Sequence, residues 1–424
     1  MKRGLAYLLL MLLPLALLTA CGGGDEPGDP GDGYTDISYD GGEGGIQPMT
    51  GIVFWSDNFN VPDACCQLEF AYLRYSDCCS QKDQYNWYSV DSLLTVVESR
   101  GHQAILRFYY TYPGMESAVP DYIKALPDYE ETVATVEGER TCFPDWRCQE
   151  LQDFHMAFYD AFSTHYEWDN RIAFIETGFG LWAEYHIDEG PYIVGQTFPD
   201  VTFQTAWLSW MGNAFMPQTP WCISIDAAQY GPFKKASYLM EYDFGNFDDS
   251  FMCEEHDKYN ARNWTYFGKD RYKRAPFGGE FSYYTDYDQR HCLDKEGIYG
   301  RTFESEARKY HLSFIIGNDQ LDYQPAERIV EASKATGYRF KLCRFAIIEG
   351  EAARLVIKNI GVAPIYQDAF PAVDGVRSTF NLRALMPGDS ATVTIATPTA
   401  SESSVPSVWC DRLLETQHID LVSR

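Results

Sequence analysis

From about residue 49 the chain alternates short apolar runs with longer stretches in which apolar residues recur every three to four positions. That texture predicts parallel β-strands separated by helices. Strands are predicted at Gly51–Trp55, Leu68–Tyr75, Gln103–Tyr110, Ile172–Gly178, Trp221–Asp226, Tyr238–Phe244, Phe277–Tyr284 and Leu312–Asn318. Helices are predicted at Val90–Arg100, Gln149–Tyr166, Thr205–Ala214, Phe303–Tyr310 and Ala326–Ala335. Eight strand–helix units in this order predict an α/β fold, a (β/α)8 (TIM) barrel over residues 49–336. After Gly337 the helical period disappears. Runs at Tyr338–Ile348, Ala353–Lys358, Thr379–Leu382 and Ala391–Thr397, several alternating with period two, are punctuated by Asn359-Ile360-Gly361 and Pro387-Gly388. They predict an antiparallel β-sandwich over residues 337–424.

The N-terminus has a different texture. Lys2 and Arg3 precede an apolar run from Leu5 to Leu18, too short to span a membrane comfortably and shaped like the core of an export signal. It ends Leu18-Thr19-Ala20-Cys21, which resembles a bacterial lipobox, so residues 1–21 are expected to be a lipoprotein signal with Cys21 lipidated. Residues 22–48 are rich in Gly, Asp, Glu and Pro without Lys or Arg, and are expected to form an extended, solvated tether. The protein should then sit in the cell envelope, anchored by lipid.

Composition narrows the partners. A net charge of −27 excludes a basic nucleic-acid binder, and 16% aromatic residues exceed what a core alone requires. Some of those rings should line a surface. In an exported, oxidising setting most of the 12 cysteines favour disulfides. The vicinal pairs Cys65-Cys66 and Cys78-Cys79 flank one strand, Cys142 and Cys148 could staple a loop, and Cys343 and Cys410 share the C-terminal region, but connectivity stays open. A zinc site is the rival use of these thiols, disfavoured because no Cys-x-x-Cys pair occurs. No cofactor or metal is expected.

In a barrel of this kind chemistry lies at the C-terminal ends of the strands. Two carboxylates fall there: Glu184, just after the fourth strand, and Glu280, on the seventh. Three positions apart on an eight-strand ring, they face one another across the mouth. Glycoside hydrolysis needs such a pair, because an acetal oxygen leaves only when protonated, and a second carboxylate must attack or stabilise the oxocarbenium-like centre. Carboxyl groups about 5–5.5 Å apart would indicate retention, about 6.5–9.5 Å inversion. Arg74 and Arg107, near the ends of strands two and three, are candidates to hold a carboxylate. Tyr110, Trp182 and Tyr283 are candidate sugar-stacking rings, His186 a candidate substrate contact, and Asp249 a polar contact or metal ligand.

The segments Leu73-Arg74-Tyr75, Tyr85-Asn86-Trp87, Asp91, Arg100-Gly101-His102 and Leu106-Arg107-Phe108 resemble the opening of clan A barrel glycosidases and their beta-galactosidase-like relatives. More closely, Pro144-Asp145-Trp146, Gly180 to His186, Asp248 to Phe251, Gly278-Gly279-Glu280, Thr336 to Arg339 and Asn359 to Ala363 resemble an uncharacterised bacterial family that pairs a glycosidase-like barrel with a C-terminal β-sandwich. The resemblance implies Glu184 as acid/base and Glu280 as nucleophile. One position departs from the clan's pattern: Ala183 stands where an Asn usually precedes the acid/base. The leading expectation is a lipid-anchored glycoside hydrolase acting on a poly- or oligosaccharide. Its competitors are a non-catalytic glycan-binding lipoprotein on a degenerate barrel, which Ala183 favours, and an adhesion role carried by the sandwich.

Overall fold

The computed structural model describes residues 33–423, so the export-signal run, Cys21 and the first part of the acidic stretch lie outside the described residues. Eight parallel strands close into a ring: β1 Gly51–Trp55, β2 Leu68–Arg74, β3 Gln103–Tyr109, β4 Ile172–Thr177, β5 Trp221–Ser224, β6 Gly245–Phe251, β7 Phe277–Phe281 and β8 Phe314–Ile316. Phe314 pairs with Gly51 and completes the closure. The period-two pleat sorts the side chains. Val53, Phe70, Ile105, Phe174, Cys222, Phe247 and Phe314 meet inside the barrel. Their neighbours Phe54, Phe108, Ile175 and Ile315 point outward against the helices. The longest helix among the described residues, Gln149–Tyr166, buries Leu151, Phe154, Phe158, Phe162 and Tyr166, a 3.6-residue stripe laid on that outer face.

The sixth strand is displaced from its predicted place. Tyr238–Phe244 holds a 3-10 turn, Ser237–Glu241, and β6 follows it in Gly-Asn-Phe-Asp-Asp-Ser-Phe. Its polar composition hides it: at the mouth, an inward position carries an acid instead of an aliphatic side chain. Asp249 therefore lies on the strand and not after it.

Beyond the barrel, β9 Phe340–Ile348, β10 Ala352–Asn359 and β13 Ser390–Ala396 form an antiparallel sheet. A second sheet contains β11 Phe370–Val373, β12 Val376–Arg377 and β14 Pro406–Trp409. Leu355, Ile357, Val373, Val393 and Ile395 from both sheets share one core, as a sandwich requires. Two details differ from expectation. Thr379–Leu382 is not a strand but leads into a 3-10 turn at Leu382–Ala384, and β15 Leu421–Val422 runs parallel to β9.

The described part of the acidic stretch is not a free tether. Thr35–Asp36 pairs with Ile347 and Ala346 at the edge of β9, and the Gly45 amide donates to Asp420 Oδ2 at 2.8 Å. Main-chain groups offered by an open sheet edge outweigh the solvation of a Gly-rich segment here. The disulfide expectation is also corrected. Cys65, Cys66, Cys78, Cys79, Cys142, Cys148 and Cys410 are free thiols. Neighbouring sulfurs are turned to different partners: Cys65 Sγ lies 3.9 Å from the Ala326 carbonyl, Cys66 Sγ 3.0 Å from that of Leu68, and Cys142 Sγ 3.2 Å from Arg140 Nη1.

Candidate active site

The loop after β4 aims two polar side chains into the barrel mouth. The Phe179 and Gly180 amides both donate to the Glu184 carbonyl, and the Leu181 amide to that of His186, so the chain doubles back on itself. A Cβ at Gly180 would lie 1.9 Å from the His186 carbonyl oxygen, so only glycine permits this approach. Trp182 and Ala183 take left-handed backbone angles, φ 53° and 58°, to complete the turn. Glu184 and His186 emerge side by side, with His186 Nε2 2.6 Å from Glu184 Oε2.

Glu280, projecting from β7, faces the same cleft, whose volume is about 1020 Å³. Beneath both carboxylates lies Arg107 of β3, fully buried. Its guanidinium donates to Glu176 of β4 through Nε (2.9 Å) and Nη2. It also donates to both Asp249 oxygens at 3.2 Å and to the Tyr72 hydroxyl at 3.2 Å. The Phe247 ring centroid sits 4.2 Å from its carbon. Arg107 Nη1 is 3.9 Å from Glu184 Oε1.

One guanidinium among four acids cannot keep all of them ionised in a site withdrawn from water. Burial pushes Glu184 up to about 8, Asp249 adding to the effect while His186 and Arg107 oppose it. Burial, then Asp249, raises Glu280 well above the carboxylate range, against the pull of Arg107. Burial likewise takes Glu176 up to about 7. His186 is moved the other way: burial alone would lower it, but Glu184, Asp188 and Asp226 raise it well above the usual imidazole value. The mouth therefore holds dissociable protons at neutral pH.

Of the residues singled out from sequence, Glu184, Glu280, Trp182, His186, Asp249 and Tyr283 line the cleft, and Arg107 underlies it. Tyr283 is 47% and Tyr284 57% exposed, so both rings stand open to a ligand, Tyr284 packing 4.7 Å from the His256 ring. Two expectations fail. Tyr110 has the parity of Phe108, which points outward; it is buried, stacked 4.1 Å from Tyr75 and bonded to His155 Nδ1 at 3.0 Å. Arg74 is the last residue of β2 before the short helix Tyr75–Cys78, and its Nε turns back to 3.8 Å from Asp77 Oδ1, outside the cleft.

Sequence reasoning missed Tyr72, Glu176, Asp226 and Tyr259. Glu176 had a usable signal, since it pairs in register with Arg107 across β3 and β4. Asp226 follows β5 at the mouth and accepts from the Tyr259 hydroxyl at 2.8 Å. Asp248 and Asp249 divide as the pleat dictates. Asp249 points inward to Arg107, whereas Asp248 accepts from Asn260 Nδ2 (2.9 Å) and Trp264 Nε1 (3.1 Å) on the outer helix Asp257–Phe267. Burial raises Asp248 to about 7.

Among solved structures, the chain is similar to the catalytic domain of a beta-amylase from Paenibacillus polymyxa, at 9% identity and TM-score 0.40, covering 64% of this chain and 91% of that one. It is similar to a xylanase from Thermotoga petrophila in complex with xylobiose, at 11% identity and TM-score 0.39, covering 63% and 81%. It is also similar to a family 39 glycoside hydrolase from Bacteroides cellulosilyticus, at 12% identity and TM-score 0.37, covering 82% and 81%. At these identities no residue role passes from them to this chain. No protein-family model matches the chain, so the closer bacterial family suggested by its motifs gains no support there, and no curated protein matches it in sequence.

Proposed function

We propose that this chain is a glycoside hydrolase acting on a poly- or oligosaccharide, held at a bacterial cell envelope through lipid on Cys21. The observation that carries the reading is the pair Glu184 and Glu280, which enter one open cleft from non-adjacent strands above a shared guanidinium. Glu184 is the proton donor to the departing oxygen, and Glu280 is the carboxylate that meets the developing positive charge. Tyr72 and Arg107 set the field around them, and Trp182, Tyr283 and Tyr284 offer ring faces to the apolar C–H faces of sugars.

A second reading, a glycan-binding protein without turnover, is favoured by one observation. Glu280 Oε1 is buried without a hydrogen-bond partner among the described residues, so no donor supports charge on that oxygen. Incubation with a panel of plant and microbial oligosaccharides separates the two. New reducing ends support the hydrolase; saturable binding without new ends supports the binder; neither outcome on any glycan removes both.

A further inference from the structure

One carboxylate of the pair also belongs to a second arrangement, whose histidine and aspartate hydrolysis does not use. Glu184 Oε2, His186 Nε2 and Asp226 Oδ2 converge at the wall of the cleft: the imidazole nitrogen is 2.6 Å from the first and 3.6 Å from the second carboxylate oxygen. All three ligand atoms lie within 4.8 Å of one another. Four-coordinate zinc with bonds of about 2.0–2.1 Å spaces its ligand atoms about 3.3 Å apart. Small side-chain movements would bring these three to that spacing.

The far atom of each group faces a polar or charged neighbour. Asp188 Oδ1 lies 3.2 Å from His186 Nδ1, on the side of the ring away from the two carboxylates, while Nε2 faces both of them. Tyr259 and Asn263 donate to Asp226 Oδ1 at 2.8 and 3.3 Å, leaving Oδ2 for another partner. Arg107 approaches Glu184 on Oε1, the oxygen that does not face the histidine. This carboxylate–histidine pairing with oriented ligands is what outer-shell support of a metal looks like. Asp248, Asp249 and Glu280 line the same cleft, and its open volume leaves room for water at a remaining coordination position.

We propose that Glu184, His186 and Asp226 form a binding site for one divalent transition-metal ion of the zinc type, oriented by Asp188 and Tyr259. The mixed nitrogen and oxygen donor set suits Zn2+ and admits Mn2+. An ion there would engage the same Glu184 carboxylate that donates the proton, so a loaded chain is a silenced hydrolase. That consequence rests on the proposed function; metal binding itself does not.

The test is calorimetric titration of Zn2+ into the full chain after chelation, alongside His186→Ala, Asp226→Asn and His256→Ala. The cysteines are common to all four proteins, so the comparison isolates this site. The wild type and His256→Ala should bind one equivalent more than the other two, or bind it at least 10-fold more tightly, and Mn2+ paramagnetic resonance should show the same ranking. Near-UV circular dichroism establishes that each variant is folded. Equal stoichiometry and affinity in all four proteins would overturn the site. So would loss of the equivalent in His256→Ala as well. Neither result depends on any glycan being cleaved.

Discussion

Arg107 is the residue on which the others depend. Among the described residues it is the one guanidinium bonded to Glu176, Asp249 and Tyr72, and removing it leaves buried carboxylates without their counter-charge. Arg107→Met should destabilise the protein by about 3–5 kcal/mol in urea unfolding, the usual cost of breaking a buried pair on one side. His155 gives a pH-dependent case. Burial lowers it to about 3, so the folded protein keeps it neutral where the unfolded chain binds a proton. Its contribution is intact above pH 6.5 and is lost as pH falls toward 3. At pH 5 the cost is about 2 kcal/mol, from roughly 1.5 units below the unfolded value. His155→Phe should flatten that acid limb, and urea melts at pH 7 and 5 would test it. Glu184, Glu280 and Arg107 were legible from strand-end position. Tyr110 was misread because it shares the outward parity of Phe108, so its ring belongs to the core between barrel and helices.

At the scale of elements, polar patterning sets the limit. Seven strands were recognisable by short apolar or aromatic runs, and β6 was not, because polar residues fill it up to Asp249 at the mouth. Chemistry replaced the hydrophobic signal where the site is. The strand that carries Glu280 shows a different constraint. A Cβ at Gly278 would lie 2.2 Å from the Phe314 ring inside the barrel, and a packed interior cannot yield that distance freely. Gly278→Ala should cost about 1–3 kcal/mol and displace Glu280 two residues on. A thermal melt together with a lowered turnover would register both effects. A variant with wild-type Tm would show that the interior is looser than the structure describes.

On the scale of the whole molecule, the sandwich also closes the barrel floor. Arg412, in the tail after β14, donates to the carbonyls of Asp169 (2.9 Å) and Ile172 (3.4 Å) and to Thr219 Oγ1 at 3.0 Å, at the N-terminal ends of the strands. Leu413 and Cys410 pack against the inner cluster from below. This contact could not be read from the sequence, because an Arg among polar neighbours carries no periodic signal. Arg412→Ala should lower stability by about 2–3 kcal/mol through several lost bonds, and should separate barrel and sandwich into two calorimetric transitions. The floor lies opposite the mouth, so this variant tests the scaffold without touching the cleft. The central claim, that the cleft hydrolyses glycosidic bonds through two opposed carboxylates, is tested most directly by measuring new reducing ends. The wild type, Glu184→Gln and Glu280→Gln would be compared, in the presence of a chelator, on whichever oligosaccharide the wild type cleaves. The account predicts a loss of about a thousandfold in each variant with unchanged near-UV circular dichroism. Release at more than about a tenth of the wild-type rate by both variants, well above the loss expected from removing a general acid or its partner, would contradict it.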